Sequence, residues 1–141
     1  MAQASSRITV HAPVDAIWNE ICRFGAADRY LPGVVDCMVD GADVGARRTL
    51  TNADGSTIVE RLDALDEVSH RLRYALLTDT PFDHCLTTIA VHDLGQSQAE
   101  VTWRATFEAD GLPASEAVSL LEGALQENCL ALKRFIEAGR Q

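Results

Sequence analysis

The amino-acid sequence predicts an α+β fold in which a seven-stranded antiparallel sheet wraps a long C-terminal helix, with two short helices after the first strand. Three observations predict it. A strand-like opening gives way at once to helical apolar spacing. The middle of the chain, from Val34 to Glu108, alternates apolar and polar residues in six short runs separated by turn residues. The last stretch, up to Ala138, carries one apolar stripe at helical spacing.

Taken in order, Ser6 to His11 alternates around Ile8 and Val10 and reads as a strand. Pro13 stands where a helix can begin, and Val14, Ile17, Trp18 and Ile21 keep the helical period. Phe24 to Gly33 is short and irregular, ending on the breaker Tyr30-Leu31-Pro32-Gly33, which predicts a second short helix bent against the first. The strands then predicted are Val34 to Val39, Ala46 to Thr51, Ser56 to Leu65, Arg71 to Leu77, Cys85 to Val91 and Ala99 to Glu108. Asn52-Ala53-Asp54-Gly55 and Asp93-Leu94-Gly95-Gln96 have hairpin composition. Ser115 is the expected N-cap of the final helix, Val118, Leu121, Leu125, Cys129, Leu132 and Ile136 form its stripe, and Gly139 ends it.

No repeat, low-complexity tract or linker interrupts this order, so one domain over residues 1–141 is expected, long enough to bury roughly two-thirds of its unfolded surface. Hydrophobic residues at 47% and charged residues at 23% are globular proportions, not those of a disordered chain. Twelve Lys and Arg against twenty-one Asp and Glu leave a net charge of -9, which repels a phosphate backbone, and the densest basic spots, Arg47-Arg48 and Arg71-x-Arg73, make no patch in the sequence. Nucleic acid and anionic membrane surfaces are therefore not expected partners. Cys22, Cys37, Cys85 and Cys129 lack zinc spacing and read as reduced thiols; no metal or cofactor is expected. Met1 to Arg7 has no apolar signal core and no run is long enough to span a membrane, so the cytoplasm is the default compartment.

Strand alternation sorts the candidate site residues by face. Ile58, Glu60 and Leu62 share one face, Leu72, Tyr74 and Leu76 another, and Arg48 points the same way as Leu50; turned inward, Arg48, Glu60 and Tyr74 meet. A buried carboxylate needs a partner, which Arg48 or the Tyr74 hydroxyl would supply. Such a cluster is either a structural ion pair that fixes strand register or a group of polar side chains facing a ligand. Trp103 shares a face with Val101, Ala105 and Phe107, as core or as ligand platform, and Cys85 and Thr87 stand with Ile89 and Val91, where they could line a cavity. Among His11, His70, His84 and His92, only His84, beside Pro81-Phe82, is a candidate base. No phosphate-binding loop, H-E-x-x-H or calcium loop occurs.

The run Ile8 to Ile21, then Tyr30-Leu31-Pro32-Gly33, Val44-Gly45-Ala46-Arg47-Arg48, Glu60-Arg61-Leu62 and Val101-Thr102-Trp103 resemble the polyketide cyclase/dehydrase and lipid-transport proteins of the START, or helix-grip, superfamily (SRPBCC) over nearly the whole chain. The resemblance implies a sheet gripping the final helix, with the two short helices closing one end of a cavity. It implies no single activity, since the family includes aromatic cyclases as well as carriers of lipids and hormones.

Three functions follow as expectations. The first is binding of a small, largely hydrophobic molecule (lipid, aromatic or polyketide-like), walled by Phe24, Leu62, Trp103, Leu121 and Leu125 and oriented by Arg48, Glu60 and Tyr74, with Thr87 nearby. The second is a cyclase or dehydratase in which Glu60, its pKa raised by burial, moves a proton from an acidic carbon. The third is a ligand-free interaction module whose short helices or sheet edge meet a partner or a second copy, giving a homodimer. Gly25, Gly33 and Gly45 are read either as hinges at the cavity entrance or as turn residues.

Overall fold

A computed structural model describes residues 1–140. Strand β1 (Ala2–Val10) leads through Ala12-Pro13 into helix α1 (Val14–Ile21), and a short 3₁₀ segment, Phe24–Arg29, completes the bent pair. Six strands follow: β2 (Val34–Asp40), β3 (Arg47–Asn52), β4 (Thr57–Asp66), β5 (Arg71–Leu76), β6 (Phe82–Gly95) and β7 (Gln98–Ala109). Helix α2 (Ala114–Ala138) comes last. All seven strands pair antiparallel in the order β1-β7-β6-β5-β4-β3-β2, so only the β1–β7 pairing departs from a simple meander.

The boundaries that differ from the sequence reading do so for local reasons. β1 begins at Ala2 rather than Ser6 because its whole length pairs with β7, from Ala2 opposite Phe107 to Val10 opposite Ala99; the small Ala2 and Ala4 carry little apolar signal, although Ala4 is buried. β6 begins at Phe82 rather than Cys85, across a bulge where His84 takes a φ of 51°. The β6–β7 hairpin turns on Gln96 and Ser97, at φ 56° and 58°, three residues beyond the expected start of the turn. Two successive left-handed residues between the paired Gly95 and Gln98 make the tight loop whose twist matches the strands, even without glycine at either position. Helix α2 starts one residue before Ser115, capped by Pro113 with no side-chain hydrogen bond; proline's fixed φ sets the chain entering the helix.

Trp103 and Phe107 of β7, Val10 of β1 and Leu132 of α2 are fully buried at the heart of the core. Each such side chain contributes roughly 1.5–3 kcal/mol by leaving water. Ala117, Leu125, Cys129, Leu132 and Ile136 form the buried line of α2, with Val118 and Leu121 packed half-buried beside it. The helix lies chiefly against β1 and β7. The remaining strands curl away from it, and the space between is where the candidate site lies.

Candidate functional site

β3 and β4 pair so that Arg48 stands directly opposite Glu60. Both side chains turn inward, Arg48 being 3% exposed and Glu60 9%. Arg48 Nε donates to Glu60 Oε1 at 2.8 Å, and Nη2 lies 2.7 Å from the same oxygen. Nη1 donates to the Phe24 carbonyl at 3.1 Å. The guanidinium carbon lies 4.1 Å from the Phe24 ring centroid and 4.9 Å from that of Tyr74, so two aromatic rings, 6.2 Å apart, border the cation on adjacent sides. Burial pulls the Arg48 pKa down, but the Glu60 charge, Tyr74, Tyr30 and the hydrogen bond to Glu60 together outweigh it and hold the guanidinium above its ordinary value. Desolvating this pair is offset by the close Glu60 contacts, the hydrogen bond to the Phe24 carbonyl and the two neighbouring rings.

The Nε hydrogen bond and the short Nη2 contact both fall on one Glu60 oxygen. Oε2 has no hydrogen-bond partner among the described residues, and Glu60 borders a cavity of about 290 Å³. Tyr74, two residues along β5 from Leu76, borders it as well. Its hydroxyl oxygen accepts from the Trp103 indole N–H at 3.1 Å, which fixes the ring and leaves the phenolic proton without an acceptor among the described residues. Burial pushes the Tyr74 pKa well above its ordinary value, so the hydroxyl stays a donor.

The rest of the wall is mostly apolar. Leu121 and Leu125 of α2 face Leu50, Ile58 and Leu76 of the sheet, and Leu31, Pro32 and Val34 close the end formed by the short helices. Pro32 and Ala124 are exposed lining residues and mark where the cavity reaches solvent. On β6, Cys85 Sγ lies 4.0 Å from Thr87 Oγ1, and both side chains line the cavity. Burial raises the Cys85 thiol pKa, which keeps it from acting as a thiolate nucleophile near neutral pH.

Of the residues singled out in the sequence, Glu60, Tyr74, Thr87, Leu121 and Leu125 border the cavity. Phe24, Arg48, Leu62 and Trp103 do not: they stand behind the wall, Phe24 and Arg48 stacked on each other and Trp103 bonded to the back of Tyr74. Alternation assigns a side chain to the inner face but does not say how deep it lies beneath its neighbours. His84 also falls outside. The β6 bulge turns it into solvent beside Asp83 and Glu108, with Nδ1 at 3.5 Å and 3.4 Å from their carboxylates, and it does not touch the cavity that would hold a substrate. Among the glycines, Gly33 at φ 75° is the turn between the lining residues Pro32 and Val34, while Gly45, at φ 97°, is a turn residue that does not border the cavity. Gly25 is required by packing, since a Cβ there would meet Val39 Cγ1 at 2.6 Å.

Sequence reasoning missed the polar lining residues Asn52, Thr80 and Asn128. Asn128 had a signal: it follows Leu121 and Leu125 at seven and three residues, on the edge of an otherwise apolar stripe. Asn52 ends β3 and Thr80 lies in the loop between β5 and β6, where composition marks turns and does not reveal an inner wall.

A sheet that closes on one long helix, with short helices sealing one end of an internal cavity, defines the helix-grip class. The chain is similar to XoxI from Bacillus cereus at 23% identity and a TM-score of 0.90, covering 100% of this chain and 99% of that one. It is similar to the di-domain ARO/CYC BexL of the BE-7585A biosynthetic pathway at 19% identity and a TM-score of 0.81, over 97% of this chain and 47% of that one. It is also similar to a point mutant of norcoclaurine synthase from Thalictrum at 17% identity and a TM-score of 0.78, over 99% and 96% of the two chains. These likenesses concern the fold. The family model for polyketide cyclase / dehydrase and lipid transport matches residues 1–137, and the chain belongs to that family. No helix among the described residues is long and apolar enough to cross a membrane.

Proposed function

We propose that the chain binds a small, largely apolar molecule bearing a hydroxyl or similar hydrogen-bond donor, in the cavity between α2 and the sheet. The observation that carries this reading is Glu60 Oε2, a carboxylate oxygen with no hydrogen-bond partner among the described residues, on the wall of an otherwise mostly apolar cavity. Such an acceptor, accessible at the cavity wall, is free to take a hydrogen bond from a ligand donor. Tyr74 offers the complementary donor, so a ligand with one donor and one acceptor engages both. In this reading Arg48 is a positioning residue that aims Glu60, Trp103 does the same for Tyr74, and Phe24 and Leu62 support them from behind.

Size narrows the ligand. A dry cavity of ~150 Å³ accepts benzene. A volume of about 290 Å³ is about twice that and suits a bicyclic skeleton or a short branched chain, at the lower end of small-molecule sites. The family, polyketide cyclase / dehydrase and lipid transport, supports an apolar or polyketide-like ligand in general terms.

A second reading uses the same atom. Glu60 Oε2 takes a proton from an acidic carbon of a folded polyketone, making the chain a cyclase or dehydratase; two fold relatives, an ARO/CYC and norcoclaurine synthase, support this reading. Turnover of a polyketone that persists in Glu60→Gln would exclude it.

The binding reading is tested with 1-naphthol and naphthalene, followed by tryptophan fluorescence. One equivalent of 1-naphthol binds, naphthalene binds about tenfold more weakly, and Leu125→Trp, which fills the cavity, binds neither. Equal affinity of both compounds for the wild type and for Leu125→Trp would refute it.

A further inference from the structure

The cavity uses one face of the sheet. On the opposite face, strand pairing assembles a patch that is invisible in the linear sequence. Arg104 of β7 stands opposite Thr88 of β6, and Thr88 stands opposite Arg73 of β5. In the adjoining row Arg7 of β1 faces Thr102, Thr102 faces Ala90, and Ala90 faces Arg71. The residues between them, Leu72, Ile89 and Trp103, are buried on the inner side, so by alternation these two rows point outward; all four arginines are exposed.

Short side chains form the floor between the long ones. Arg71, Arg73 and Arg104 border a shallow concavity of about 440 Å³ over Thr88, Ala90 and Thr102. Past Arg104 it continues into a second, of about 480 Å³, bordered by Arg7 and Ser5. None of the four guanidinium groups has a carboxylate within 4.0 Å among the described residues. The nearby acids are Glu100, on the border of both concavities, and Asp66, opposite Arg71, whose carboxylate accepts from the Val68 and Ser69 amides. In a chain of net charge -9, four neighbouring cations without carboxylate partners are a local reversal of sign.

We propose that the outer face of β1, β7, β6 and β5 is a docking surface for an acidic, carboxylate-rich extended segment of a partner protein. The arginines span four strands, roughly 14 Å at ~4.8 Å per strand, which one phosphate cannot bridge. An extended peptide of about five residues laid across the strands covers that distance, and its alternate side chains, ~7 Å apart, present carboxylates at both ends and the middle of the span. Guanidinium forks pair with carboxylates bidentately. Nucleic acid fits less well: no Phe, Tyr or Trp borders either concavity for a base to stack on, and the overall charge repels a long polyanion. A membrane fits less well too, since the floor of Thr88, Ala90 and Thr102 offers no large apolar side chain to insert.

The test is fluorescence polarisation with a labelled (Glu-Ser)₄ peptide, its (Gln-Ser)₄ counterpart, and the full chain at 0.15 M salt. The glutamate peptide binds, the glutamine peptide does not, and binding weakens as salt is raised. Arg73→Glu with Arg104→Glu weakens binding at least tenfold while circular dichroism stays native, and Arg134→Glu on α2 leaves it unchanged. Equal binding by wild type and the double variant, or none at low salt, overturns the proposal. So does tighter binding of single-stranded DNA or of anionic vesicles that the same double variant abolishes, and so does a concentration-dependent doubling of mass that it abolishes, which would assign the face to a second copy.

Discussion

Arg48 and Glu60 face each other across β3 and β4, and the Nε hydrogen bond and the short Nη2 contact of the guanidinium fall on a single carboxylate oxygen. A salt bridge built only to fix strand register would be expected to use both oxygens, as the fork geometry allows. Here the second oxygen has no hydrogen-bond partner among the described residues, and Glu60 borders the cavity. This supports the proposal that the pair orients a polar group towards a ligand.

Removing one partner of this pair should be far worse than removing both. Arg48→Met leaves Glu60 buried without its cation and should cost about 3–5 kcal/mol, whereas Arg48→Met with Glu60→Leu should recover most of that loss. Urea denaturation of the two single variants and the double variant closes the cycle. A double variant no more stable than Arg48→Met would contradict a coupled buried pair.

Tyr74→Phe keeps the ring but strands the Trp103 indole N–H, whose acceptor is the Tyr74 hydroxyl. A loss of about 1–3 kcal/mol is expected, with a shift in tryptophan emission. Stability unchanged within experimental error would mean that water or another group replaces the hydroxyl.

Alkaline pH should unfold the chain through its two tyrosines. Burial pushes Tyr30 up to about 12 and Tyr74 higher still, against an ordinary tyrosine value of ~10. For groups whose folded pKa is raised, the folded state holds the proton longer; the stabilisation is complete below ~10 and is lost as pH climbs through about 12. Tyrosinate absorbance and loss of near-ultraviolet dichroism should therefore rise together above pH ~10. Full tyrosinate absorbance in a still-folded protein at pH ~10.5 would contradict the burial of both hydroxyls.

Gly25→Ala should destabilise by about 1–3 kcal/mol, because its Cβ would overlap Val39 Cγ1 at 2.6 Å, and a β-branched side chain has few rotamers into which to retreat. Adding Val39→Ala should restore stability. Thermal denaturation of the single and double variants checks both expectations, and a Gly25→Ala protein as stable as wild type would mean that the 3₁₀ segment moves freely against β2.

The order of elements and the inward faces of β3, β4 and β5 were legible in the sequence because period-2 and period-3.6 apolar patterns are local properties. Arg48, Glu60 and Tyr74 could be assigned a common side by alternation alone. The depth of each side chain could not, since it depends on how far the sheet curls from α2; hence Phe24, Leu62 and Trp103 were expected on a wall they support from behind. The bulge at His84 and the left-handed Gln96-Ser97 turn were hidden because neither uses glycine. The arginine face was hidden for a different reason: Arg7, Arg71, Arg73 and Arg104 come from three strands and become neighbours only through the β1–β7–β6–β5 pairing.

The central claim is an occupied cavity with Glu60 in contact with the ligand, and native mass spectrometry of freshly purified protein, followed by solvent extraction, tests it most directly. The account predicts a stoichiometric small apolar molecule with a hydroxyl or similar donor on the wild-type chain or, for protein purified empty, a thermal shift with bicyclic phenols; both should be absent in Leu125→Trp. A bare mass for the wild type, with no thermal shift across a panel of such phenols and lipids, would contradict it.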